Sequence, residues 1–405
     1  MKSPYQSRFM KKYDSRGLGH HILLPLLAII AVGGIGAYLT SAIWAASSVS
    51  SGNTVYQTPG PSGSLLNGTI VSLTSDGRNP TAKKAQESET IHESSWGNKW
   101  ILETKGSREK GFRYFALSAD LKTTISYGVL SSSADIDCKT PGAKTYYRSA
   151  RFMQDAADPS TPPRVVVLQS QVECDGGKRL NSRIYSVGPK GADRKELYYD
   201  SADGPIYYLN SYRPIGSNGN ILFHKAQVGA SVKSYILTSS GSVISTPDNS
   251  TAHALSRDGG RVVLSVIRPE GSSYELMDVA TRERVRTKLM QNEGNITNHL
   301  VDVTKDAKMW LLVKTQKLSD DRYAQGIFVY DVTKDSRVAL DSGLSDRAAG
   351  SFQNAYFSAS GNFVGYTKYD QKYKSFSVRR IKIDGSQRLI TKDLPYETPF
   401  VVMRW

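Results

Sequence analysis

The chain has 405 residues, of which 39 % are apolar and 22 % charged, and a formal net charge of +15. That balance is too polar for a multi-span membrane protein and too rich in apolar and aromatic residues for a disordered one. Two cysteines exclude a cystine-dense scaffold and a four-cysteine zinc site, while 23 tyrosines and 34 glycines lean towards β structure.

At the amino end, Lys2, Arg8, Lys11, Lys12 and Arg16 precede a stretch, 17–75, that carries no charged residue. Within it, residues 22–46 are almost wholly apolar; in helical form they reach roughly 37 Å, enough to cross a bilayer hydrocarbon core of about 30 Å. This predicts one transmembrane helix over 22–46, an uncleaved signal anchor, with the basic flank 1–21 in the cytoplasm and the rest outside. The apolar core exceeds the roughly 7–15 residues of a cleaved signal peptide, although Ala45-Ala46-Ser47 leaves secretion after cleavage as the alternative. Residues 47–63, rich in Ser, Gly, Thr and Pro, read as a flexible linker, and 64–405 as an extracytoplasmic domain. In an oxidising compartment Cys138 and Cys174 are disulfide candidates, closing a loop of about 37 residues. Two separate buried thiols are the other reading, because spacing alone does not bring the Cα atoms within about 7 Å.

The domain is internally repetitive. Segments 115–125, 214–223, 254–264, 303–312 and 356–366 each read as strand, polar turn, strand, and most are followed by a second such pair. The turns fall at Asp120, Asn218, Asp258-Gly259, Asp306 and Gly361, and the following turns include Asp384-Gly385. Distances from first to second turn run from 22 (Asp120 to Gly142) to 28 (Asp306 to Lys334). A divergent copy falls between Asp158 and Gly191, while 86–113 resists parsing. Each unit therefore holds four short strands, the pattern of a β-propeller. Residues 71–74 running into a turn at Asp76-Gly77 look like a second hairpin lacking its first, and the last seven residues look like a lone first strand. Together they would form one shared unit, so an all-β propeller of seven blades is expected, with six as the alternative.

Leu255-Ser-Arg-Asp-Gly-Gly-Arg-Val-Val263 and Phe357-Ser-Ala-Ser-Gly-Asn-Phe-Val364 resemble the Phe-Ser-Pro-Asp-Gly-Lys core of TolB-like and WD40-like propellers, without the proline. Residues 378–391, with Ile383-Asp-Gly385 and Leu389-Ile-Thr391, are similar to the end of a TolB-type repeat. The resemblance implies the fold; because this fold hosts many activities, it implies no particular one.

Local chemistry is sparse. There is no Gly-x-Ser-x-Gly elbow, no phosphate-binding P-loop and no His-Glu-x-x-His, and no cofactor is expected. Six histidines are scattered, and one such as His224 reads as a surface or satisfied core residue. Ser256-Arg-Asp258-Gly-Gly260 is similar to the structural turn of sialidase-like propellers. Asp135-Ile-Asp137 and Asp200-Ser-Ala-Asp203-Gly204 offer too few oxygens to hold Ca²⁺ by themselves, so no metal site is expected. Of the net charge, the amino-terminal flank with its one acid, Asp14, accounts for +4, leaving +11 for the rest. The expectation is a membrane-anchored, non-catalytic scaffold for a protein or an anionic envelope polymer, with no role for nucleic acid. The alternative is a glycan-active hydrolase or lyase whose site is assembled from several repeats.

Overall fold

Alternation of apolar residues on both faces of short strands, punctuated by Ser-x-Asp turns, folds this chain into a series of antiparallel sheets. In the computed structural model the chain divides into Met1–Ala46 and Ser47–Trp405. The structure describes residues 69–404 apart from connecting segments, the longest being 133–143, 154–160 and 209–215. The 22–46 segment, the linker, Asp76, Gly77, Cys138 and Cys174 lie outside the described residues. No helix among the described residues is long and apolar enough to cross a membrane.

Strand β1 (Thr69–Thr74) pairs with β2 (Thr81–Lys84), and six groups of four strands follow. The first holds β3 (Thr90–Ser94), β4 (Trp100–Ser107), β5 (Gly111–Ser118) and β6 (Thr124–Ser132). The second holds β7 (Lys144–Phe152), β8 (Val165–Glu173), β9 (Arg179–Val187) and β10 (Lys195–Asp200). The third is β11 (Ile206–Tyr208), β12 (Ile221–Ala226), β13 (Lys233–Leu237) and β14 (Val243–Ser245); the fourth is β15 (Ser250–Leu255), β16 (Arg261–Arg268), β17 (Gly271–Asp278) and β18 (Arg284–Met290). The fifth places the short β19 (Asn292–Glu293) before β20 (Ile296–Val303), β21 (Met309–Ser319), β22 (Arg322–Asp331) and β23 (Ser336–Ser345). The sixth is β24 (Phe352–Phe357), β25 (Phe363–Asp370), β26 (Ser375–Lys382) and β27 (Leu389–Leu394). The last strand, β28 (Pro399–Arg404), runs parallel to β1, from Thr69 opposite Pro399 to Thr74 opposite Arg404. Within each group, strands adjacent in sequence are adjacent in the sheet; among the described residues, the first two groups are joined where Ser132 meets Tyr147.

The groups stack face to face, which is why their middle strands are apolar on both sides. Val165 and Val167 of β8 enter a core shared with the first group, alongside Leu102 and Tyr114, whereas Val166 and Leu168 enter the next core with Ile221 and Phe223. Leu222 then faces Val262 and Leu264, Val263 faces Trp310 and Leu312, and Leu311 faces Val364 and Tyr366. Among the described residues, five cores thus separate six consecutive groups. This is β-propeller architecture, in which a sheet is buried on both faces by its neighbours rather than by a helix.

One sequence expectation shifts. The Asp120 turn joins β5 to β6, the third and fourth strands of its group, instead of opening a repeat with Gly142. The opening hairpin is β3–β4, inside the stretch that resisted parsing. The reason is chemical: both kinds of turn here can use the same serine–aspartate geometry. Ser118 donates to Asp120 at 2.5 Å and accepts from the Thr123 N–H, as Ser256 donates to Asp258 and accepts from Arg261.

Candidate functional site

The turns singled out from the sequence are hydrogen-bonded into the scaffold. Asp258 Oδ1 accepts from the Ser256 hydroxyl and the Gly260 N–H, and Asp306 Oδ1 from the Thr304 hydroxyl and the Lys308 N–H. Burial opposes ionisation of Asp306, but those donors outweigh it and hold its pKa below the ordinary carboxylate value. Asn218 Oδ1 takes the Asn220 N–H, and the residue that follows in each turn is left-handed: Leu121, Gly219, Gly259, Ala307 and Gly361 all have positive φ. Asp384 is held by Ser386, whose hydroxyl and N–H pull its pKa to about 2; Gly385 follows at φ 85°.

Consecutive turns also touch. The Ser217 N–H donates to the Arg257 carbonyl, Asn220 Nδ2 to the Gly259 carbonyl, and the Asp258 N–H to the Lys305 carbonyl. A Cβ on Gly259 would lie 1.8 Å from Asn218 Oδ1, so a side chain there collides with the neighbouring group. Sequence reasoning treated Arg257 as a turn residue only. It is 2 % exposed, and its guanidinium donates to the carbonyls of Phe357 and Ser358 and pairs with the buried Asp302 at 3.5 Å, linking the fourth, fifth and sixth groups.

Other charged groups clamp neighbours at the outer strands. Asp200, weighed in the sequence as part of an acidic turn, instead takes the Lys225 ammonium at 3.0 Å. Burial disfavours that ammonium, but its hydrogen bonds to Asp200 and Tyr198 outweigh the penalty and raise its pKa. The same arrangement recurs between the fifth and sixth groups, where Asp341 is held by Lys368, Arg379 and the Tyr366 hydroxyl. His224 is fully buried, its Nδ1 2.9 Å from Ser234 Oγ; burial and then the nearby His253 push its pKa down to about 3. Among the described residues, no cluster of three His, Cys, Asp or Glu side chains could hold a metal ion.

The candidate site is a cleft of about 640 Å³ between the second and third groups, at the end where these turns lie. One wall is the β9–β10 connection, containing a 3-10 turn at Pro189–Gly191 and two non-glycine residues, Lys190 and Asp193, at φ 59° and 48°. Arg164 fixes that wall by donating to the Asp193 carbonyl and to Ser186 Oγ, and the Arg194 guanidinium lies 4.0 Å from the centre of the Tyr185 ring. The other wall is the turn from Thr238 to Gly241, where Thr238 Oγ1 and Ser240 Oγ are 2.8 Å apart. Its floor is the aliphatic top of the shared core, with Met153 and Leu197 half-buried over Ile221 and Leu237. Ile221 and the Ser240 turn belong to the third repeat, but Met153, Arg164, Arg194 and Lys195 belong to no motif; the lining comes from four separated connections, so no local spacing announces it.

No protein-family model matches this sequence, and no curated protein matches it either. Solved structures do. A structure from an analysis of two prolyl endopeptidases, concerned with the role of inter-domain dynamics in catalysis and specificity, aligns at 8 % identity over 93 % of this chain and 55 % of that one, with a TM-score of 0.51. The β-propeller domain of the trilobed protease from Pyrococcus furiosus aligns at 11 % identity over 75 % and 83 % of the two chains, with a TM-score of 0.45. TolB from Acinetobacter baumannii aligns at 14 % identity over 73 % and 64 %, with a TM-score of 0.42. The chain spans under two thirds of the length of this TolB and of the prolyl endopeptidase. With five cores between stacked four-stranded groups, the chain is a β-propeller, and TolB is among the propellers it is similar to.

Proposed function

We propose that this chain is a membrane-anchored, extracytoplasmic propeller that binds a partner and performs no chemistry of its own. The observation that carries the reading is the cleft between the second and third groups, a recess of ligand size whose cationic and hydroxyl side chains sit on a packed, aliphatic floor. Four described carboxylates are committed to the scaffold: Asp258 and Asp306 to turns, and Asp200 and Asp341 to lysines of the next group. Six four-stranded groups, with β1 and β28 sharing a further sheet, favour seven blades closed by the two ends of the domain. The uncharged apolar run at 22–46, behind five basic residues, favours anchoring with the propeller outside the cytoplasm.

The test is photo-crosslinking of the full chain in its native envelope, with the crosslinker at Ser240. A discrete crosslinked partner, lost when Ser239→Trp fills the cleft, is the expected result. Turnover of an envelope glycan by the purified full chain would overturn the non-catalytic reading, as absence of any partner would overturn the binding one. Protease accessibility of the propeller in spheroplasts reads the topology.

A further inference from the structure

Resting on the binding reading above, we propose that the cleft takes a peptide segment of a partner protein in which aliphatic side chains alternate with carboxylates. The floor and rim ask for different chemistry. Met153 and Leu197 present aliphatic surface above a closed core, and none of the described lining residues is aromatic. Sugar rings are commonly gripped against aromatic faces; an aliphatic floor instead suits leucine-sized side chains. The rim is cationic. Arg164, Arg194 and Lys195 border the cleft, and of the two acids beside them Glu196 is paired with Arg183 at 3.3 Å. Among the described lining residues, Asp193 is thus the one acid left against three cations, a local field that attracts carboxylates.

The rim is also held in place before any ligand arrives. Arg164 is fixed by two hydrogen bonds, and Arg194 lies on the Tyr185 ring, so little side-chain freedom remains to be lost on binding. Positive φ at Lys190 and Asp193 keeps the β9–β10 connection in a bent form that an ordinary extended loop would not adopt. On the facing wall, the Thr238 hydroxyl is committed to Ser242 and Ser240 within its turn, and the exposed Ser240 hydroxyl is the group that can meet peptide groups laid along the cleft.

The experiment uses the full chain in detergent micelles and three fluorescein-labelled probes: a Ser-Leu-Glu repeat peptide, its Ser-Leu-Gln counterpart, and oligogalacturonate of similar length. Fluorescence anisotropy is expected to show the glutamate peptide binding about tenfold more tightly than the glutamine peptide, the size expected for two exposed charge contacts. Arg194→Glu combined with Lys195→Glu, both at exposed positions, is expected to abolish that preference. Met153→Asp is expected to weaken both peptides, and circular dichroism checks that each variant is folded. Equal affinity for the two peptides, tighter binding of oligogalacturonate, or indifference to the rim substitutions would each overturn the proposal. A native partner crosslinked at another face, with no peptide bound here, would overturn this proposal while leaving the binding reading intact.

Discussion

His224 and His253 make the domain sensitive to acid. Both are buried, and burial first, then a neighbouring histidine, lowers their pKa from 6.5 to about 3 and about 4. The folded chain keeps these rings neutral at pH values where the unfolded chain protonates them. Stability is therefore fully present above about pH 6.5 and declines as pH falls from there towards the folded values. At pH 5 the deficit is about 2 kcal/mol for each ring. Urea unfolding at pH 7 and pH 5 should show it, and His253→Gln should remove part of the slope; a midpoint unchanged between the two pH values would refute this account. The bare sequence marked His224 only as a surface or core histidine. It could not show that this residue faces Ser234 and a second buried histidine, since those contacts join different strands and groups.

Between elements, the Arg257–Asp302 pair is the most consequential link. Asp302 is fully buried and accepts the N–H groups of Val303 at 2.7 Å and Phe357 at 2.6 Å, while Arg257 reaches the sixth group through two carbonyls. Asp302→Asn keeps the shape but removes the Asp302 charge from the buried guanidinium, so a loss of about 3 kcal/mol is expected in urea denaturation. Arg257→Met added to Asp302→Asn should recover part of that loss; a double variant weaker by the sum of both single effects would argue against the pairing. The element pattern itself was legible wherever apolar residues alternate around a polar turn, as at 254–264 and 303–312. It misplaced the Asp120 turn because third-to-fourth and first-to-second strand turns share one hydrogen-bonding solution.

For the whole molecule, the parallel pairing of β1 with β28 brings the first and last described strands into one sheet. With β2 on the other side of β1, the pairing holds the first and last described strands in one sheet. Removing residues 399–405 should lower Tm by about 5 °C and promote association through the exposed β1 edge, seen by calorimetry and size-exclusion chromatography. An unchanged Tm with a monomeric profile would mean that the ends contribute no closure.

The sequence alone determined the repeat, the all-β class and the pairing of both ends, because period-two alternation and turn chemistry are local and survive divergence. It also shows the uncharged apolar run at 22–46 behind its basic flank, from which the proposed anchoring is read, because that reading depends on composition over a single segment. Only the tertiary structure decided which face of each strand meets which neighbour, the register of the first group, and the partners of Asp200 and Arg257. It alone brought Met153, Arg194, Lys195 and Ser240 around one cleft, since these residues are separated along the chain and converge only when two groups stack.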